Sequence, residues 1–418
     1  MRAEVTLTSS TGRISASSSK SAMQRYIAGA LMANGVSRIL SPAFCDDSMA
    51  AIAIAEALGA EISVSDNMVS VTGGFNPVRS ELFCGESGLA ARMFTPLAAL
   101  HNNEIIINGK GSLLKRPVKM MERPLVDLGA EVSSNNGYLP LRIKGPITGG
   151  EVHADGSVSS QFITGLLMAL PVAKKDSQII VDNLASKPYI DLTISILEEF
   201  GIEISNQEYK KFLVKGRQKY IAGSFTVEGD WSGAAFFLVM GAIGGEVEIT
   251  NLDLGSPQSD KAVIEALTMA GARIRKSDKS IVVSKGELRG FEFDISECPD
   301  LAPPLAVLGL ACRGKSVIKG TGRLSVKESD RGKTLETALT SIGANIRNLN
   351  GKIEVEGCMP LKGGKADSFN DHRIAMALAI AAFGSRSPVI INGMECINKS
   401  YPGFINDFIT LGGNIAIT

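Results

Sequence analysis

Histidine is scarce in this chain. There are three in 418 residues, His101, His153 and His372. No two have the spacing of zinc ligands, so neither a structural nor a catalytic zinc site is expected. The six cysteines (Cys45, Cys84, Cys298, Cys312, Cys358 and Cys396) include no C-x-x-C pair. The opening MRAEVTLTSSTGRI has no apolar run after a basic residue. No secretory signal is expected there, and the thiols are expected reduced in a cytoplasm. There is one tryptophan, and aromatics make up 6%. Acidic and basic residues balance at 43 each. Neither a field of one sign nor a stacking surface points to nucleic acid or membrane. The long apolar stretches, such as Ala234–Ile243, fall short of the roughly 20 residues of a membrane span.

Glycine, at 44 residues, is plentiful, and it marks a repeat. A Leu-Gly-Ala-like signature recurs at Gly59, Gly129, Gly201, Gly271, Gly343 and Gly412, at steps of 70, 72, 70, 72 and 69 residues. That period exceeds the roughly 20–50 residues of common solenoids. It suits six copies of a small α/β unit. Each copy predicts two helices. One ends at the signature glycine. Counting back 13 residues puts its start at Asp46, Arg116, Gln258, Asp330 and Lys399, with Lys187-Pro188 in the third copy. The other begins near Ser21, Ser87, Ser160, Ser232, Asp300 and His372. Gly233–Gly241, Leu305–Ala311 and Ala375–Phe383 are apolar on nearly every face and predict buried helices. Ser21–Ala33 reads as more amphipathic. Alternating strands such as Lys352-Ile353-Glu354-Val355 predict sheets with one exposed face.

Polar residues gather where helices begin, and helix N-termini favour phosphates and carboxylates. A serine there is most simply an N-cap. A cation in a first turn opposes the helix dipole, and an anionic ligand would offset that cost. Lys20, Lys327, Arg373 and Lys399 are read as such cations.

Several blocks then align with one family. They are Ser19-Lys20-Ser21 with Arg25; Gly85-Glu86-Ser87-Gly88 with Arg92; Ser159-Ser160-Gln161; Ser186-Lys187-Pro188-Tyr189; Val227-Glu228-Gly229-Asp230; Pro299-Asp300; Lys327-Glu328-Ser329-Asp330-Arg331; Asp371-His372-Arg373; and Lys399. In these blocks the chain resembles the 5-enolpyruvylshikimate-3-phosphate synthase family of enolpyruvyl transferases. The resemblance implies an α/β (α+β) two-domain fold of six βαβαββ-type units, three per domain, with helices inside and sheets outside. It implies a first domain over 16–229 on the shikimate 3-phosphate side. Residues 1–15 and 230–418 form a second on the phosphoenolpyruvate side, with the site in the cleft between and closure on binding. It also implies a cytoplasmic enzyme with no cofactor, and a monomer is expected.

By the same resemblance, Lys20, Ser21, Arg25, Ser159, Ser160, Gln161, Ser186, Tyr189, Asp300, Arg323 and Lys327 hold shikimate 3-phosphate. Lys20, Gly88, Arg92, Gln161, Arg331, Arg373 and Lys399 surround phosphoenolpyruvate. Asp300 is assigned as the base for the reacting hydroxyl. Glu328 and Lys20 are both candidates to deliver the proton, with His372 and Lys399 supporting charge. Four positions depart from a common form of the pattern. Ser112 stands at an Arg position, where Lys110 or Lys115 would have to compensate. Arg323 stands where an Asn often lies. Glu86 and Leu89 replace an Asn and a Thr beside Gly88. Two other readings stay open: the sister transferase acting on a UDP-amino sugar, and a non-catalytic scaffold of the same fold that binds a phosphorylated metabolite.

Overall fold

The computed structural model describes residues 1–418. The chain divides into two units, Ser18–Val227 and Met1–Ser17 with Glu228–Thr418. Each has its own apolar core. The first unit holds α1 (Lys20–Met32), α2 (Asp46–Ala57), α3 (Gly88–Ala98), α4 (Glu122–Asp127), α5 (Gln161–Ala169) and α6 (Lys187–Glu199). The second holds α7 (Trp231–Gly244), α8 (Val263–Ala270), α9 (Ala302–Ala311), α10 (Arg331–Ser341), α11 (His372–Ala381) and α12 (Phe404–Thr410). No helix is long and apolar enough to cross a membrane.

Six four-stranded sheets, three to a unit, carry the repeat. The copy over 81–144 shows the βαβαββ order directly. Strand Glu81–Phe83 leads into α3, strand Glu104–Asn108 into α4, and a hairpin of Glu131–Asn135 and Tyr138–Lys144 closes it. The first pair is parallel and the others antiparallel. Tyr138–Lys144 alternates exposed and buried residues throughout. One face of the sheet therefore meets the helices and the other meets water.

Two copies exchange their leading strands. Ser10–Ser15 precedes α1 in the chain, yet it pairs with Gly245–Thr250 of the fourth copy. Ser224–Thr226 precedes α7, yet it pairs with Gly35–Leu40 of the first. This exchange sends the chain from one unit to the other at 17/18 and again at 227/228.

The buried helices sit at the heart of each unit. α7, α9 and α11 pack on one another, and α3 packs on α1 and α5. A Cβ at Gly165 of α5 would lie 2.7 Å from the Met93 carbonyl oxygen and 2.8 Å from that of Arg92 on α3. Only glycine permits that backbone approach. α1 corrects the sequence reading, because every residue from Ala22 to Leu31 is buried. Gln24 and Arg25 are both inside, where Gln24 accepts from Ser87 and Arg25 donates to Thr193.

Candidate functional site

Helix starts supply most of the expected site residues, as the repeat implied. Ser19, Ser87, Asp230 and Asp371 are N-caps of α1, α3, α7 and α11, each accepting from a backbone N–H of the first turn. Two of the four expected first-turn cations do not sit in one. Lys327 lies four residues before α10, and Lys399 ends a 3-10 turn over Met394–Lys399. The dipole argument therefore applies to Lys20, Arg331 and Arg373, which lie in the first turns of α1, α10 and α11. The second-copy helix expected at Arg116 is also displaced. Gly111–Lys115 forms a 3-10 turn, and α4 begins only at Glu122.

The first unit gathers its share around α1, α3, α5 and α6. Lys20 Nζ contacts Asp47 Oδ2 at 2.8 Å. Arg25 is buried and bridges α1, α5 and α6, its Nη2 lying 3.5 Å from Thr164 Oγ1 of α5. Its Nε donates to Thr193 Oγ1 at 2.9 Å, Nη1 to the Ser21 carbonyl at 2.7 Å and Nη2 to the Tyr189 carbonyl at 3.3 Å. Burial pulls its pKa down to about 10. Arg25 thus braces the backbone carbonyls of Ser21 and Tyr189. Arg92 Nη1 donates to Gln161 Oε1 at 2.8 Å and Nη2 to the Pro117 carbonyl at 3.2 Å. Ser87 Oγ donates to Gln24 Oε1 at 3.1 Å, tying the starts of α1 and α3 together. Ser159 Oγ accepts from the Gln161 N–H at 3.2 Å, and Ser160 is buried beside it. Ser186 enters α6 in the left-handed region at φ +57°. An L-residue takes that conformation at a cost of about 1–2 kcal/mol.

The second unit holds a denser cluster. Arg331 is fully buried and is the centre of it. Its Nε donates to Asp371 Oδ2 at 2.9 Å, Nη1 to Asp300 Oδ1 at 2.7 Å, and Nη2 to Asp371 Oδ1 at 3.2 Å and to Glu328 Oε2. Arg373 Nη2 reaches Asp300 Oδ2 at 3.0 Å, and Lys327 Nζ lies 3.2 Å from Asp300 Oδ1. Asp300 thus faces three cations with a side chain still 22% exposed. Burial by itself would raise its carboxyl. Arg373, Lys327 and Arg331 outweigh burial and hold it well below the usual carboxylate range. Burial lowers Lys327 against the pull of Asp300. Lys399 Nζ donates to the Asn370 carbonyl at 2.8 Å. His372 is buried at the start of α11. Phe369 and Asn370, just before it, are both left-handed at φ +53° and +55°. Arg323 lies at the edge of the cluster, its guanidinium on the Ser296 carbonyl.

Three carboxylates, one in the first unit and two in the second, carry roles that the sequence reading did not assign. Asp47 partners Lys20. Asp371 both caps α11 and holds Arg331. Asp260 is fully buried and accepts from Ser232 Oγ. Burial, then repulsion from Asp300, push Asp260 up to about 6. No local pattern distinguishes these from ordinary surface or capping acids. Their partners lie 27 to 40 residues away in sequence.

The arrangement collects cations and carboxylates at the starts of buried helices in both units, a layout suited to anionic substrates and proton transfer. The fold is shared with enolpyruvyl transferases. The enolpyruvyl transferase NikO from Streptomyces tendae superposes with a TM-score of 0.81 at 16% identity, over 100% of this chain and 98% of that one. EPSP synthase from Acinetobacter baumannii superposes with a TM-score of 0.84 at 24% identity, over the whole of both chains. The family model of EPSP synthase (3-phosphoshikimate 1-carboxyvinyltransferase) matches residues 6–408. The 3-phosphoshikimate 1-carboxyvinyltransferase of Clostridium novyi is 40% identical over 97% of this chain and 96% of its own. That of Clostridium perfringens is 39% identical over 96% of both. The chain belongs to the EPSP synthase family.

Proposed function

We propose that the chain transfers the carboxyvinyl group of phosphoenolpyruvate to the 5-hydroxyl of shikimate 3-phosphate and releases phosphate. Family membership along 6–408 supports the reaction. The observation that carries the residue roles is Asp300 facing Arg331, Arg373 and Lys327. In the protein alone those cations suppress the basicity of Asp300. Substrate phosphate and carboxylate groups compete for Lys327 and Arg373. As they take that charge, Asp300 regains basicity beside the hydroxyl it must deprotonate. The hydroxyl oxygen bonds to C2 of phosphoenolpyruvate, a proton adds at C3, and loss of phosphate and of a proton from C3 restores the double bond. Glu328 is our choice for the C3 proton. In the protein alone its carboxylate rests on Arg331, so Glu328 must first take up a proton, and Arg331 then pairs the carboxylate left after that proton passes to C3.

Lys20, Ser21, Ser159, Ser160, Gln161, Ser186 and Tyr189 hold shikimate 3-phosphate in this reading, with Arg25 bracing Ser21 and Tyr189. Gly88, Arg92, Arg373 and Lys399 face phosphoenolpyruvate. Arg331 has every nitrogen on a carboxylate, so it orders the acid–base pair as well as the ligand. The enzyme acts as a cytoplasmic monomer. The test is phosphate release from phosphoenolpyruvate with shikimate 3-phosphate or UDP-N-acetylglucosamine as acceptor. Release with shikimate 3-phosphate alone is expected, and release with the sugar nucleotide alone would overturn the proposal. Glu328→Gln should keep ligand affinity and lose at least about 100-fold in kcat. Undiminished turnover would remove Glu328 from its role.

A further inference from the structure

In the first unit the strands Ile204–Gln207 and Lys211–Val214 pair antiparallel as a hairpin. Its tip is strained, because Glu208 and Tyr209 are both left-handed, at φ +52° and +58°. The Asn206 side chain fixes the turn, its Oδ1 accepting from the Tyr209 N–H at 2.8 Å. From this tip Tyr209 reaches the beginning of α6. Its hydroxyl donates into the Asp191 carboxylate, 2.9 Å from Oδ1 and 3.0 Å from Oδ2. Its ring carries the Lys187 ammonium, 5.7 Å from the centroid. Lys187 and Asp191 are four residues apart on one helix face, so a single tyrosine fastens both.

The start of α6 is weak by its own sequence. Ser186 enters it left-handed at φ +57°, whereas Ser19 and Ser87 cap α1 and α3 from extended backbone. Lys187 then sets a cation against the helix dipole. From within the unit, the Tyr189 carbonyl is tied by Thr193 Oγ1 at 2.8 Å and by Arg25 Nη2 at 3.3 Å. Tyr209 supplies the tie on the exposed side, where Lys187 lies. Left-handed residues other than glycine persist only where the surroundings over-determine them, and they gather at functional sites. Here they stand at both ends of one contact, Ser186 on the helix side and Glu208 and Tyr209 on the hairpin side. We infer that Tyr209 is a positioning residue for shikimate 3-phosphate: through Asp191 and Lys187 it holds Ser186 and Tyr189 in the arrangement that receives the ligand. This rests on the reading above that Ser186 and Tyr189 hold that ligand. Tyr209 acts through α6 and not by contact with the ligand.

The test is calorimetry of shikimate 3-phosphate binding to the wild type, Tyr209→Ala, Tyr209→Gly and Tyr209→Phe, with phosphoenolpyruvate kinetics and urea unfolding of each. Tyr209→Ala loses a charge-assisted hydrogen bond and a cation–π contact. It should bind shikimate 3-phosphate roughly 5- to 20-fold more weakly. Tyr209→Phe keeps the ring under Lys187 and should lose only about three- to fivefold. Tyr209→Gly relieves the left-handed strain, so it should unfold at higher urea than Tyr209→Ala and yet bind the ligand as weakly. A role in stability alone would make affinity follow the urea midpoint. The KM for phosphoenolpyruvate at saturating shikimate 3-phosphate should stay within about twofold throughout. Shikimate 3-phosphate affinity in Tyr209→Ala within about twofold of wild type overturns the assignment. So does an equal loss for both substrates, or recovery of affinity in Tyr209→Gly. A wild type that binds no shikimate 3-phosphate would instead sink the reading of Ser186 and Tyr189. The hold on α6 is then judged by amide hydrogen exchange over 189–193, and equal exchange in wild type and Tyr209→Ala refutes it.

Discussion

Asp371→Asn tests whether the buried Arg331 cluster holds the second unit together. The substitution keeps the shape and removes one charge. Asp371 and Arg331 are both fully buried. Each Asp371 oxygen accepts twice: Oδ1 from Arg331 Nη2 and the Arg373 N–H, Oδ2 from Arg331 Nε and Ser329 Oγ. An amide turns one of those oxygens into an NH2 group facing two donors. Breaking a buried ion pair from one side costs about 3–5 kcal/mol. Arg331 keeps Asp300 and Glu328, so the lower end, about 3 kcal/mol, is expected. The single tryptophan, Trp231, is buried in this same unit, and its fluorescence reports the transition. At a urea dependence of about 2 kcal/mol per molar, the midpoint should fall by about 1.5 M. Turnover should fall with it, because Asp300 and Glu328 both lean on Arg331. A midpoint within about 0.3 M of wild type, with turnover intact, would refute the reasoning.

Gly88→Ala should place a methyl group against Arg116 and Arg92, raising the KM for phosphoenolpyruvate while leaving shikimate 3-phosphate affinity unchanged; kinetics with each substrate varied would check it. Gly165→Ala should push α5 away from the Met93 and Arg92 carbonyls and cost about 1–3 kcal/mol in urea unfolding. Asp260 carries a pKa raised from 3.8 to about 6. The native state therefore holds its proton more tightly than the unfolded chain, and stability falls as pH rises from about 4 to 6. Asp260→Asn should gain on wild type across that window, by up to about 3 kcal/mol above pH 6. The depressed Asp300 works in the opposite sense, adding stability as pH rises, but at lower pH. Parallel stability curves for the two proteins would contradict the Asp260 assignment.

Periodicity alone placed six α/β copies, because each copy must bury the same helix faces and turn at the same glycine. N-cap chemistry located α1, α3 and α11 to within a residue or so, since Ser19, Ser87 and Asp371 satisfy free N–H groups wherever the helix goes. The family blocks supplied Asp300, Glu328, Arg331 and Arg373 as a set. Local sequence could not show which groups those residues would touch. The resemblance carried Arg25 over as a residue that holds shikimate 3-phosphate, and only the packing shows its guanidinium donating to Thr193 and the Tyr189 carbonyl. Arg116 reads as a helix start, but the loop before it forms a 3-10 turn, with Ser112 donating to Glu86 26 residues earlier, and Arg116 lies beside Gly88. Asp260 and Asp371 matter through charges far off in the chain. The exchange of strands Ser10–Ser15 and Ser224–Thr226 left the period unchanged, so nothing in the repeat announced it. Patterns of burial and capping are local and are written in order along the chain. Charge balance and clamping arise between distant segments, and only the folded protein decides them.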